Sequence, residues 1–181
     1  NLRRSAEVQA LALRGVATRY SYLPFTAAQQ PVVKDLLRNP DSAHMREAAN
    51  AYLQTVNAHA GSDTLYVMDD KGLTLASSNW NTPSSFLGHN YSNRPYFRDA
   101  LQGKAGRFYG VGKTTGAPGL FASGPITDSA GKVIGVVTDK GLEVSITGAG
   151  GNGKETVKWP EGVVGVAREA TLLRDMKPKA G

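Results

Sequence analysis

One arginine in this sequence has the neighbours that a carboxylate receptor needs. Arg94 lies between Tyr91 and Tyr96 and directly precedes Pro95. Its guanidinium is charged at any physiological pH, and its planar fork matches the two oxygens of a carboxylate. Pro95 stiffens the backbone and disfavours helical geometry at Arg94 itself. The segment therefore predicts a fixed anion-binding group, although a lone loop arginine is more often solvated or paired with an aspartate.

The other motifs do not support catalysis or metal binding. The three histidines lie too far apart for a helical metal pair, and no serine has the context of a nucleophile elbow. Residues 112–114 imitate the end of a phosphate-binding loop, but Arg107 replaces the glycine required five positions before Gly112. Asp69 and Asp70 are adjacent, which fits a turn better than paired acid–base chemistry. We expect no catalytic residue, no metal and no cofactor, so this chain is predicted not to be an enzyme itself.

The composition is that of a globular domain with a basic surface. The 181 residues include 40% hydrophobic and 20% charged residues, with a formal net charge of +6 and no cysteine. Disulfides, thiolate metal sites and cysteine nucleophiles are therefore excluded. The basic residues are scattered among acidic ones, so we expect a field that attracts small anions rather than nucleic acid. No apolar run approaches the ~20 residues of a membrane span, and Asn1 at the start suggests a fragment of a longer protein.

The first sixty residues predict helices. Residues 2–23 form a candidate long helix that Pro24 ends or kinks, and its apolar seam suits either the domain core or a second copy of the chain. A short helix is predicted at 31–38, and another at about 43–59 follows the capping residue Ser42. The apolar residues of the first helix with helical spacing are Leu13, Val16, Tyr20 and Leu23.

Beyond residue 60 the pattern changes to strands. Gly72 is expected to take positive φ in a tight turn between the first two strands, and a hairpin loop at 128–131 joins the last two. A short helix is predicted at about 95–102. The sum is an α+β fold with an antiparallel sheet of about five strands. The predicted strands are 64–69, 73–78, 107–111, 119–126 and 133–140.

The last part of the chain differs in composition. The glycine-rich residues 148–153 are typical of a flexible linker, and they precede a possible strand at 163–166 and a short helix at about 168–176. So short a piece cannot make an independent core. We therefore expect residues 145–181 to be an appendage that docks on the main domain, or the remnant of a second module.

Several segments, in order, resemble one known family. The sequence is similar to the extracytoplasmic sensor domains of the DctB family of bacterial C4-dicarboxylate sensor histidine kinases, within the PAS-like (PDC, or Cache) sensor domains. The resemblance runs from about residue 5 to 140. The matching segments are 19–24, 65–69, 72–80, 88–97, 106–109, 114–119 and 131–137.

The resemblance implies a fold and a role. A long N-terminal helix would precede a PAS-like central antiparallel sheet flanked by helices, with residues 1–60 as the helical region, 61–144 as the ligand-binding domain and 145–181 as the appendage or remnant of a membrane-proximal module. The domain would lie in the periplasm and belong to an inner-membrane, two-component histidine kinase, an ATP:protein-histidine phosphotransferase. Implied partners are succinate, fumarate or malate, a second copy bound through the N-terminal helix, and a cytoplasmic response regulator.

The resemblance also implies a site. Tyr91 and Arg94 match the family's carboxylate contacts, Lys140 matches its second cation, and the loop 112–116 matches a polar loop over the pocket. The sequence departs from the family at Asn93, at Lys113 and in the Thr138–Asp139 pair before Lys140. The residues expected to bind the ligand are Tyr91, Ser92, Arg94, Lys113, Thr114, Thr115, Ser123 and Lys140.

A dicarboxylate needs a cation for each end, and Arg94 and Lys140 could face one another across the sheet. Lys140 could instead be a surface lysine at the end of a strand. One alternative function is a chemoreceptor-like domain for a monocarboxylate or an amino acid, whose ammonium would need Asp128 or Asp139. A distant alternative is a small hydrolase, for which the sequence offers no nucleophile and base.

Overall fold

A computed structural model describes residues 22–115, 118–143, 145–148 and 155–158 of the chain. Four helices lie in this described part: α1 at residues 22–28, α2 at Pro31–Arg38, α3 at Ala43–Ala60 and α4 at Pro95–Leu101. The predictions of α2, α3 and α4 are confirmed to within one residue at each end. Most of the predicted helix 2–23, and with it the proposed dimer seam, lies outside the described residues.

The ends of the helices follow from local chemistry. Pro31 occupies the first turn of α2, where its missing N–H breaks no helical hydrogen bond. The Ser42 hydroxyl accepts a 3.3 Å hydrogen bond from the Met45 amide and caps α3. Gly61 ends α3 with a φ of 67°, which a residue with a side chain rarely adopts.

Pro24 does not end the first helix, contrary to one of the two outcomes predicted for it. Residues 22–28 are helical on both sides of this proline. Ala27 and Ala28 are 0% and 2% exposed and belong to the hydrophobic core. Their burial favours the helix on the C-terminal side of Pro24.

Five strands form the central sheet, as the sequence predicts. All neighbouring pairs are antiparallel, and the order across the sheet is β2-β1-β5-β4-β3. β5 is longer than predicted, since it extends past Lys140. The α+β class and the five-stranded sheet are therefore confirmed. The strands are β1 at Thr64–Asp69, β2 at Thr74–Ser77, β3 at Gly106–Val111, β4 at Pro118–Thr127 and β5 at Val133–Glu143.

Two further strands lie where the sequence predicted only a linker and appendage. β6 at Ser145–Gly148 and β7 at Glu155–Lys158 pair antiparallel in a separate sheet. The prediction missed them because glycine-rich residues separate them and glycine has a low strand propensity. The predicted strand 163–166 and helix 168–176 lie outside the described residues. The division of the chain at 60 and 144 stays a prediction.

The two faces of the central sheet carry different cores. Side chains alternate along a strand, so Leu65, Val67 and Val137 point to one face and pack with helices α2 and α3. Tyr66, Met68 and Val136 point to the other face, where α4 packs against β3, β4 and β5. The second face also carries most of the aromatic rings, and it is the face on which Arg94 lies.

The β1–β2 turn supports the segment before α4. Gly72 has a φ of 85°, and a Cβ placed on it would lie 2.6 Å from the Ser92 amide nitrogen. Its carbonyl accepts a 2.9 Å hydrogen bond from the Tyr91 amide, and the Asn90 side chain donates to the Lys71 carbonyl at 3.0 Å. The turn therefore fixes the backbone from which Tyr91 and the following arginine project.

Replacing Gly72 by alanine is expected to destabilise the domain more than the same change at Gly131. Both glycines have positive φ, 85° and 82°, but the Cβ position of Gly131 has no atom of the described chain within 4 Å. Strain alone costs about 1–3 kcal/mol, and the clash with Ser92 adds about 1–3 kcal/mol at Gly72. Urea denaturation of both variants measures this, and equal losses of unfolding free energy would contradict it.

Candidate functional site

Arg94 is held at the start of α4 with its guanidinium over aromatic rings. Its backbone is extended, with φ −83° and ψ 139°, as predicted for a residue before proline. The guanidinium carbon lies 4.8 Å from the ring centre of Phe108, 5.8 Å from that of Phe121 and 5.9 Å from that of Tyr96. At these distances the rings attract the cation and restrict its position.

The sequence identified Tyr96 as a neighbour of Arg94 but missed Phe108 and Phe121. These two residues lie opposite one another on β3 and β4, and Phe121 stacks on Tyr96 with ring centres 5.0 Å apart. Knowledge of the register of the β3–β4 pair would have identified both residues. This register places both rings on the α4 face beside Arg94.

Three tyrosine hydroxyls surround the arginine. The hydroxyls of Tyr66 and Tyr96 are 2.8 Å apart, and Tyr91 hydrogen bonds to the Thr114 hydroxyl. Burial raises the pKa of Tyr66 well above its usual value and that of Tyr96 to about 12, while the charge of Arg94 opposes both shifts. These phenols therefore keep their protons at physiological pH. One hydroxyl of the Tyr66–Tyr96 pair donates to the other, and the second can donate to an anion.

Lys140 lies on the same face of the sheet and is completely buried. Its side chain has 0% exposure and its ammonium is 3.1 Å from a carboxylate oxygen of Asp63. It also donates to the Thr115 hydroxyl at 3.1 Å. A Cβ on Gly119 would lie 3.3 Å from the Lys140 Cε, so this glycine leaves space for the lysine chain. The alternative of a solvated surface lysine is therefore wrong.

Asp63 is a site residue that the sequence prediction missed. It precedes β1, and its amide donates to the Lys140 carbonyl at 3.1 Å because β1 and β5 are antiparallel neighbours. The antiparallel pairing of those two strands is the information that would have found it. Nothing in the local sequence around Asp63 distinguishes it from an ordinary turn residue.

The loop after β3 contacts both ends of this face. Thr114 meets Tyr91, and Thr115 meets Lys140. The neighbouring Lys113 ammonium lies 3.4 Å from the Asn90 carbonyl. The loop thus brings the predicted residues of the Tyr91 segment and of β5 into one constellation.

Phe121 connects the two cations. It is the direct cross-strand partner of Lys140, and side chains at such positions lie about 4.5–5.5 Å apart at their Cβ atoms. The Arg94 guanidinium stands 5.8 Å from the centre of the same ring. Arg94 and Lys140 are therefore both neighbours of Phe121, as expected of a receptor for a ligand with two anionic ends.

Two residues predicted to bind the ligand, Ser123 and Ser92, make hydrogen bonds within the protein. The Ser123 hydroxyl donates a 2.6 Å hydrogen bond to the Tyr96 carbonyl and so fixes the start of α4. Ser92 is exposed, and its amide donates to the Asn90 side chain. Their predicted contacts with a ligand stay predictions.

The two aspartates considered for an ammonium lie away from this constellation. Asp139 points to the opposite face from Lys140, where the Ser62 hydroxyl donates to it. Asp128 lies in the β4–β5 turn and accepts from the amides of Ala130 and Lys132. Within the described chain, the acidic group beside Lys140 is Asp63 instead.

Within the described part of the chain, none of the helices combines the length and the apolar composition of a membrane span. The same part of the chain contains no cluster of three histidine, aspartate or glutamate side chains suited to a metal ion.

Known proteins are similar to this chain in sequence and in fold. No protein-family model matches the chain. It is 30% identical over 138 residues to the C4-dicarboxylate transport sensor protein DctB of Pseudomonas aeruginosa. This alignment covers 76% of the chain and 22% of that protein. The chain is 31% identical over 135 residues to the DctB of Rhizobium meliloti, in an alignment that covers 75% of the chain and 21% of that protein.

A solved structure agrees with these relatives. The sensor domain of the V. cholerae histidine kinase DctB aligns with a TM-score of 0.73 and 27% sequence identity, covering 77% of this chain and 54% of that one. The fold and these similarities define a PAS-like sensor domain of the PDC, or Cache, class. Within this class the chain is a sensor domain of the DctB type, and it is a periplasmic domain of an inner-membrane protein.

Asp139 is expected to make stability depend on pH. Burial raises the pKa of this carboxyl from 3.8 to about 7, so the folded state favours the protonated form. Its stabilising contribution is complete below about pH 4 and is lost as the pH rises towards 7, by an amount on the order of a few kcal/mol.

The Asp139→Asn variant removes this loss, so its unfolding free energy should fall less between pH 4 and 8 than that of the wild type. Urea denaturation across this range measures both slopes. Asp70→Asn, at an exposed turn residue, is the matched control and should follow the wild type. Parallel slopes for Asp139→Asn and the wild type would contradict the assignment.

Proposed function

We propose that this domain binds a C4-dicarboxylate such as succinate, fumarate or malate, with one carboxylate on Arg94 and the other on Lys140. The observation that carries the proposal is that Arg94 and Lys140 lie on one face of the sheet, Arg94 with its guanidinium beside the Phe121 ring and Lys140 as the cross-strand partner of Phe121. Both relatives are named C4-dicarboxylate transport sensor proteins. Three other members of the predicted set, Tyr91, Thr114 and Thr115, provide hydroxyl groups for the carboxylate oxygens.

The forces available match the affinity that a nutrient sensor needs. Hydrogen bonds to charged groups contribute roughly 1.5–3 kcal/mol each. Two such ends together with hydroxyl donors give a binding free energy of about −4 to −8 kcal/mol, which corresponds to millimolar to micromolar dissociation constants. The positive net charge of +6 favours the approach of a small dianion.

An amino acid is the second candidate ligand, and Asp63 is the observation that favours it. A carboxylate beside Lys140 could accept hydrogen bonds from an ammonium group. Its 3.1 Å contact with Lys140, however, already uses one of its oxygens. The dicarboxylate therefore fits the pair of cations better.

The proposal for the whole protein extends beyond this domain, since the chain spans about a fifth of the length of its DctB relatives. We propose that the complete protein is an inner-membrane histidine kinase that transfers phosphate from ATP and signals to a cytoplasmic response regulator. The domain would pair with a second copy through the predicted helix 2–23. A ligand that binds the two states of such a dimer with different affinity would shift its signalling equilibrium.

A thermal-shift screen should separate the candidate ligands. Succinate, fumarate and malate are expected to raise the melting temperature in a concentration-dependent way, because a ligand that binds only the folded state stabilises it. Acetate and amino acids at the same concentration and ionic strength should have smaller effects. Stabilisation by an amino acid with no response to the three dicarboxylates would contradict the proposal.

Arg94→Ala should weaken succinate binding by at least about tenfold, since it removes charge-assisted hydrogen bonds worth roughly 1.5–3 kcal/mol. Isothermal calorimetry measures the change, and circular dichroism verifies the fold. Arg98→Ala is the matched control because Arg98 lies on the same helix and is exposed. Arg94→Lys should bind with intermediate affinity because lysine keeps the charge without the planar fork. An unchanged affinity in Arg94→Ala would show that the ligand binds elsewhere.

A further inference from the structure

The cation proposed to receive the second carboxylate already has an anionic partner. The Lys140 ammonium is 3.1 Å from Asp63, and the lysine side chain is 0% exposed whereas that of Asp63 is 35% exposed. A buried cation that lost its partner would be strongly destabilising. Asp63 therefore meets an electrostatic requirement of the ligand-free domain.

The backbone at Asp63 is fixed on both sides. Its amide donates to the Lys140 carbonyl at 3.1 Å, and its carbonyl accepts from the Asn57 side chain at 3.2 Å. The preceding Ser62 hydroxyl, which donates to Asp139, also lies 3.2 Å from the Lys140 carbonyl oxygen. With the backbone fixed, the carboxylate leaves Lys140 only by rotation of its own side chain, which also breaks the 3.4 Å contact between the same oxygen and the Thr64 hydroxyl.

A ligand carboxylate that approaches Lys140 either shares the ammonium with the Asp63 carboxylate or displaces it. If both anions shared the ammonium, they would repel one another at short range. If the ligand displaced Asp63, the carboxylate would rotate into the solvent that it already contacts, and one ion pair would replace another. In both cases the net gain from the second ligand carboxylate is smaller than an unoccupied ammonium would give.

We propose that Asp63 is a specificity-determining residue that competes with the distal carboxylate of the ligand for Lys140. This inference rests on the proposed function. Asp63 lowers the affinity for dianions but not for ligands that reach only Arg94. It thereby narrows the difference in affinity between dicarboxylates and monocarboxylates, and it keeps the buried lysine paired when the ligand leaves.

The test compares succinate with butyrate, which has the same number of carbons and lacks the second carboxylate. In calorimetry, Asp63→Asn should bind succinate about tenfold more tightly than the wild type, equivalent to about 1.4 kcal/mol. Its affinity for butyrate should be unchanged. Asp35→Asn is the matched control, because it removes the acid of the exposed Arg38–Asp35 ion pair on α2, and it should alter neither affinity.

A second measurement does not depend on the folding of the variant. In the wild-type domain, the side-chain carboxyl ¹³C resonance of Asp63 should shift when succinate is added and stay in place with butyrate. Equal or weaker binding of succinate by folded Asp63→Asn, or an Asp63 resonance unmoved by bound succinate, would overturn the role of Asp63. A wild-type domain that does not bind succinate would instead contradict the proposed function, and the two failures are thus distinguishable.

Discussion

Two cations share one face of the central sheet, the buried Lys140 and the half-buried Arg94, and the contacts of that face compensate for the water that their charges lose. A buried ion without a partner costs several kcal/mol, so each cation needs compensation within the fold. Arg94 lies against three aromatic rings and near tyrosine hydroxyls. Lys140 has Asp63 and the Thr115 hydroxyl. The contacts differ between the two cations, because Arg94 is placed by aromatic rings and Lys140 by a carboxylate and a hydroxyl.

The register of the sheet turns this local chemistry into a site. Alternation along β5 directs Lys140 to the aromatic face and Asp139 to the helical face. A slip of one residue would exchange them and place a carboxylate beside Phe121. The packing of α4 on β3, β4 and β5 then sets the position of Arg94. Site geometry and core packing therefore depend on the same strand pairing.

The sequence predicted those features that depend on neighbours along the chain. The proline after Arg94, the capping serine of α3 and the glycine of the β1–β2 turn each act within a few residues, and the predicted elements follow from them. The pairings of Asp63 with Lys140 and of Phe108 with Phe121 depend on which strands lie side by side. Local periodicity carries no such information, and these contacts were therefore missed. At Pro24 the local signal allowed either an end or a kink, and the helix continues to residue 28, where Ala27 and Ala28 are buried.

A crystal structure of the domain grown with succinate would examine the clamp between Arg94 and Lys140 most directly. We expect density for a two-ended anion on the α4 face of the sheet, with one carboxylate within hydrogen-bonding distance of the Arg94 guanidinium and the other near the Lys140 ammonium. Succinate bound away from both cations, or bound through a single end at Arg94 with its second carboxylate in solvent, would contradict a dicarboxylate clamp.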